Sequence, residues 1–137
     1  MAEIREEIVT RLVGTRKFGS IEAARLGERA GWKCEYCGLN ILATLENYKL
    51  WQTDHIIPKC KGGLEDFDNL ALSCLHCNWH FKRDFDPRPA PGLPPLSRKE
   101  LIDAVKIHIE KTRKFPEADL ELFREIIGHR LSSGQTA

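Results

Sequence analysis

The chain has 137 residues, the length of one domain, and its 42% hydrophobic and 30% charged residues exclude a collagen-like, low-complexity or disordered protein. Twenty-one basic against 20 acidic side chains leave a formal charge of +1, which excludes a strongly basic protein that coats nucleic acid indiscriminately. No apolar run is long enough for a signal sequence or a membrane span, so no membrane partner is expected and the expected compartment is the cytoplasm. The charge is unevenly spread: residues 1–33 carry +2, 34–78 carry −3, 79–114 carry +4 and 115–137 carry −2. An acidic centre between basic arms suits an enzyme acting on a polyanion.

In chain order, Ile4, Ile8 and Leu12 recur at i, i+4, i+8 and predict a helix over 3–13 that stops at Gly14. After the basic turn Thr15-Arg16-Lys17, Ser20 is a candidate N-cap for a second helix through Ile21, Ala24 and Leu26 to Ala30-Gly31. Residues 48–57 are rich in β-branched and aromatic types and predict a strand ending before Pro58. A loop with Gly62-Gly63 follows over 59–69, then a short strand Leu70 to Ser73 and a short helix from Cys74 to Asp84. Five of the seven prolines fall within 87–95, a stiff linker. Beyond it Ser97 and Glu100 form a capping-box pattern opening a helix with Leu101, Ile102, Val105 and Ile109 on one side. A separate last helix is expected after Pro116, with Leu120, Phe123 and Ile127 in register; both stripes are expected to pack into the core.

All five cysteines lie within 34–78. In a reducing compartment they point to metal rather than to disulfides. Cys34-Glu-Tyr-Cys37 and Cys74-Leu-His-Cys77 are both C-x2-C knuckles, the pattern that brings four thiolates around one tetrahedral Zn²⁺. Four thiolates leave no open position, so this zinc is expected to be structural. The 36 residues between the knuckles are more than a compact zinc ribbon uses, so something else is inserted there. Cys60, outside both knuckles, is read as a loop cysteine without function.

The inserted segment carries Asp54-His55-Ile56-Ile57-Pro58, the glycine pair, Asn69-Leu70 and finally Cys77-Asn78. With these blocks in order the chain resembles the HNH endonuclease family, whose fold is the ββα-metal motif. The resemblance covers about residues 25–84, and the two ends, 1–20 and 85–137, carry none. It implies that His55 is the general base, that Asp54 is a ligand of a catalytic divalent ion, and that Asn69 orders the loop and orients the histidine. Asn78 falls at the third family position and is implied as the second protein ligand of that ion, so this chain has a D-H, N, N pattern rather than a literal H-N-H. The expected fold is α+β: a small, treble-clef-like ββα-metal core clamped by a four-cysteine zinc site and flanked by N- and C-terminal helices. Within a single domain, 1–137, the expected parts are helices over 1–31, the core over 32–84, the linker over 85–96 and a helical extension over 97–137.

The chemistry stands beside the resemblance. Cutting a phosphodiester needs an activated water, neutralisation of charge on the phosphoryl oxygens and help for the departing alkoxide. A neutral imidazole supplies the first; a hard ion held by a carboxylate and an amide oxygen, Mg²⁺ or Mn²⁺, supplies the others. Adjacent strand residues point to opposite faces, so Asp54 and His55 can share one phosphate only if the strand bends or ends there. On an α-helix Lys82 shares the face of Asn78, which makes it a phosphate-contact candidate together with Arg83, Arg16 and Lys17, whereas His76 and His80 fall on the other face. Trp51 and Trp79 are expected to pack behind the hairpin and helix, and His108 and His129 merit no functional reading. The expected function is hydrolysis of phosphodiester bonds in DNA. The alternative is a zinc-stabilised, non-catalytic nucleic-acid-binding module; a RING-type protein-binding module would need a second zinc site that Cys60, His76 and His80 do not supply.

Overall fold

The computed structural model describes residues 3–128; His129 lies outside the described residues. Helices α1 (Glu6–Gly14), α2 (Ile21–Ala30) and α3 (Leu45–Tyr48) precede an antiparallel hairpin of β1 (Trp51–His55) and β2 (Leu70–Cys74), then a π-helix (His76–Lys82) and a long helix α4 (Arg98–Ile127). No described helix is long and apolar enough to cross a membrane. The hairpin and the helix that follows it, with the four-cysteine cluster beside them, make a ββα-metal arrangement.

Local chemistry accounts for the element ends. Ser20 Oγ accepts from the Ala23 amide at 3.0 Å and opens α2, and Gly31, at φ 64°, closes it. The expected strand over 48–57 shrinks to Trp51–His55 because Thr44 Oγ1 caps a helical turn at Asn47, while the Ile56 and Ile57 amides turn away to bond Asn69. β2 gains one residue, Cys74, and is buried along its whole length. It forms a core with Leu26, Ile41, Ile56, Ile102, Val105 and Ile109.

Two arginines tie the arms to this core. Arg29 donates to the Leu70 carbonyl at 2.6 Å and lies 3.8 Å over the Phe67 ring, and Arg98 donates to the Leu70 carbonyl and to Glu35, both at 2.9 Å. Part of the basic excess of the arms is therefore used inside the fold.

A third tie joins α1 to α2. Arg5 grips the Glu28 carboxylate through Nε at 2.8 Å and a terminal guanidinium nitrogen at 2.9 Å, and Trp32 Nε1 adds a 2.8 Å bond. Gly27 makes this possible, since a Cβ there would lie 2.4 Å from the Trp32 ring. The Arg5 hydrogen bond holds Glu28 down to about 2, below its ordinary 4.5. A carboxyl depressed in the folded state contributes stability that is whole above pH 4.5 and is lost as pH falls toward 2. Urea unfolding followed across that window should show the loss in the wild type and a flatter profile in Glu28→Gln.

The C-terminal half departs from expectation. The Ser97/Glu100 capping box forms, and Ile102, Val105 and Ile109 are buried. Pro116, however, starts no new helix: α4 runs through it to Ile127. Proline removes the bond to the carbonyl four residues back, Thr112, and the residues around it are exposed enough for water to take that place. The expectation that Leu120, Phe123 and Ile127 pack into the core is corrected too, because α4 overruns the core and leaves them exposed, with Phe115 and Ile126.

Candidate active site and zinc cluster

The Sγ atoms of Cys34, Cys37, Cys74 and Cys77 all lie within 4.8 Å of one another, with Cys37 and Cys74 at 3.7 Å. A tetrahedral Zn²⁺ with bonds of about 2.3 Å would set its sulfurs about 3.8 Å apart, so the donor set fits that ion. Among the described residues this is the only such group of cysteine, histidine and carboxylate ligands. Hydrogen bonding with Cys37 lowers the Cys34 thiol, while the neighbouring Cys34 sulfur pushes Cys77 upward. The first knuckle leaves α2 at Trp32. The second straddles the end of β2 and the π-helix, so the cluster ties the two ends of the inserted segment together.

The loop after β1 is pinned by Asn69. Its Oδ1 accepts from the Ile57 amide at 2.9 Å, and its Nδ2 donates to the carbonyls of Ile57 at 3.1 Å and Leu64 at 2.8 Å. The Asn69 carbonyl receives the Ile56 amide at 2.8 Å. Gly63 has to be glycine here, since an added Cβ would fall 1.7 Å from the Ile57 carbonyl oxygen. These contacts end β1 at His55 and hold the chain on its far side.

A cleft of about 470 Å³ opens beside that strand end, lined by Thr53, Asp54, His55, Pro58, Lys59, Cys60, Asn78, Trp79, Arg83 and Asp84. It brings Asp54, His55, Asn78 and Arg83 together. Arg83 is exposed, with no carboxylate at ion-pair distance among the described residues. Its backbone, at φ 52°, turns the chain out of the π-helix and donates to the Asn78 carbonyl at 2.9 Å. Arg16 and Lys17 are exposed on the α1–α2 turn, outside the cleft lining.

Lys82 is not where phosphate could meet it. Its side chain is wholly buried, and Nζ lies 3.1 Å from Asp54 Oδ2 and donates at 3.1 Å to the His55 carbonyl. The helix after β2 is π rather than α, and Lys82 runs inward from its last turn. The expected phosphate contact at Lys82 is therefore corrected to an internal ion pair, made because a buried Asp54 requires a counter-charge. Asp54 also accepts from the Tyr36 hydroxyl at 2.6 Å. Burial pushes its carboxyl above the ordinary range, with Lys82 pulling the other way. Replacing Lys82 with Met should cost about 3–5 kcal/mol in thermal or urea melts, because the carboxylate is left buried without its cation. Adding Asp54→Asn should recover part of that loss.

A donor set of one carboxylate and one amide oxygen at Asp54 and Asn78 suits a hard divalent ion. Lys82 already balances Asp54, so the carboxylate would offer such an ion little unpaired charge. Asn78 itself has only a long, 3.5 Å contact from its amide to Gln52.

Two residues of the site, Glu65 and Lys59, carry no role in the sequence reading, and for a third, Trp79, the expected packing behind the helix is corrected. Glu65 places a carboxylate oxygen 3.1 Å from His55 Nε2, close but not aligned as a hydrogen bond, and its other oxygen is 2.6 Å from Lys59 Nζ. Lys59 bonding is the main cause that lowers Glu65, with His55 second. Trp79 stands exposed on the cleft wall instead of packing behind the helix, whereas Trp51 does pack, edge-on against Phe18, Trp32 and Tyr48. Loop residues such as Glu65 and Lys59 carry no periodic signal. An exposed tryptophan is invisible to a reading that assigns aromatics to cores.

Residues 34–82 match the family model of the HNH endonuclease. No curated protein and no solved structure matches the chain.

Proposed function

We propose, for a chain whose residues 34–82 belong to the HNH endonuclease family, that it hydrolyses phosphodiester bonds in DNA with His55 as general base and a divalent ion, Mg²⁺ or Mn²⁺, at Asp54 and Asn78. The observation that carries this reading is the single cleft that His55, Asp54, Asn78 and Arg83 share. A zinc ion on Cys34, Cys37, Cys74 and Cys77 would anchor the start of the helix that carries Asn78 and Arg83 to the first knuckle.

In this reading a ring nitrogen of His55 takes the proton of a water as its oxygen attacks phosphorus and the P–O bond to the leaving group breaks. The departing oxygen recovers a proton from solvent. Glu65, beside Nε2, stabilises the imidazolium so formed, and Asn69 fixes the backbone on which the ring turns. Arg83 and Lys59 supply positive charge for the phosphate oxygens. The divalent ion, when bound, neutralises phosphoryl charge and eases departure of the alkoxide.

The Asp54–Lys82 pair favours a second reading, a zinc-stabilised module that binds nucleic acid without cutting it, because it occupies the carboxylate the ion would use. Supercoiled plasmid separates the two. Nicked or linear product is expected with added Mg²⁺ or Mn²⁺ and not without it, the structural zinc being assayed in parallel. Binding with no cleavage under any ion would overturn the nuclease reading.

A further inference from the structure

The geometry points to Trp79 as a stacking platform for an unpaired nucleobase, making single-stranded or locally opened nucleic acid the preferred ligand of the cleft. This rests on the nucleic-acid part of the reading above and not on cleavage. Trp79 is 64% exposed, and among the described residues its indole has neither a hydrogen bond nor a ring partner. The other tryptophans differ: Trp32 and Trp51 sit edge-on in one aromatic cluster, and Trp32 Nε1 is bonded to Glu28. Leaving so large an apolar face in water is unfavourable unless something covers it.

The surroundings say what covers it. Trp79 lines the same cleft as His55 and Asn78; of the charged groups on its walls Lys59 is paired with Glu65 and Asp54 with Lys82, Asp84 is exposed, and Arg83, with no carboxylate at ion-pair distance among the described residues, is available to a phosphate. A ligand there must combine a flat π-face with negative charge, as a nucleotide does; base stacking on an aromatic side chain with basic groups tracking the backbone is how single strands are held. The cleft, about 470 Å³, has the size of a small-ligand site, which is room for one nucleotide within it. A continuous duplex keeps the faces of its bases stacked on one another, so an indole finds none to cover. A base freed from its stack can swing onto Trp79 while its phosphate lies toward His55.

The test is equilibrium binding by the zinc-loaded full chain with no other divalent ion added, so that cleavage plays no part. The probes are a fluorescein-labelled single-stranded oligonucleotide and the same sequence as a blunt duplex. The single strand should bind more tightly and quench tryptophan emission. Trp79→Ala should weaken that binding about tenfold and abolish the quenching, while Trp79→Phe keeps most of the affinity because a smaller ring still stacks. Preserved single-strand affinity in a folded Trp79→Ala protein, or a wild type that prefers the blunt duplex, would overturn the inference. Trp79-dependent single-strand binding in a protein that cuts nothing would uphold it while the nuclease reading fell.

Discussion

Cys74→Ala protein should be unfolded over the hairpin and both knuckles, and wild type stripped of zinc by a strong chelator should follow it. Structural zinc sites contribute roughly 10–16 kcal/mol of apparent binding free energy in small metal-folded units. That matches or exceeds the roughly 5–15 kcal/mol by which whole domains are stable. The chain has little with which to replace it. Among the described residues its sheet has only two strands, and an isolated hairpin is marginal in water without further support. The support comes from the segment Trp32 to Ile41 on one side and from α4 on the other, and the cluster fixes the first of these to the end of β2. Metal analysis should find about one zinc per chain, and far-UV circular dichroism and thermal melts should show the collapse on its removal. Cys60→Ser should leave zinc content and melting unchanged, since Cys60 is exposed on the loop and outside the cluster. A zinc-free protein with full cooperative melting would remove the clamp from the account.

Spacing made the cluster legible, because four sulfurs around one ion impose a local rule, two residues between ligands, that the sequence displays directly. The same holds for the caps: Ser20, Gly31 and the Ser97/Glu100 pair each act within three or four residues, and each forms as read. What the sequence concealed depends on distant partners. Lys82 and Asp54 are 28 residues apart, and nothing local announces that one will neutralise the other inside the protein. Arg29 and Arg98 counted as basic arms, yet they reach 41 and 28 residues to the Leu70 carbonyl and bind backbone rather than phosphate. Pro116 announces only its local effect, which an exposed helix tolerates. The stripe beyond it had the right period for a core, and the helix simply extends past the core that period implied.

The same contrast bears on the candidate site. Asp54 and His55 are neighbours on β1, and alternation sends them to different surroundings: Asp54 inward to Tyr36 and Lys82, His55 toward Glu65. Both still line one cleft because the strand ends at His55. Asn69 and Gly63 bring about that ending by drawing the backbone at Ile57 away. Gly63 and Asn69 are therefore part of the site's geometry though neither residue lines the cleft.

His55→Ala should reduce metal-dependent cleavage by at least a hundredfold, and by up to about ten-thousandfold, the range a positioned general base contributes. Nucleic-acid binding and zinc content should stay close to wild type, because a general base, the role proposed for His55, works in the transition state and adds little to ground-state affinity. The substitution is also structurally mild. Its backbone contact, the carbonyl that accepts from Lys82, is retained by alanine, and the side chain has no aligned hydrogen bond to lose. The comparison that isolates the base is Asn69→Ala, which releases the loop at Ile57 and Leu64 and should lower melting temperature and cleavage together. His55→Ala should lower cleavage alone. Single-turnover cleavage of a labelled oligonucleotide at saturating protein, with melts run on the same samples, gives both quantities. Full-rate cleavage by His55→Ala would move the base elsewhere in the cleft, with Asp84 the next group on its wall able to take a proton.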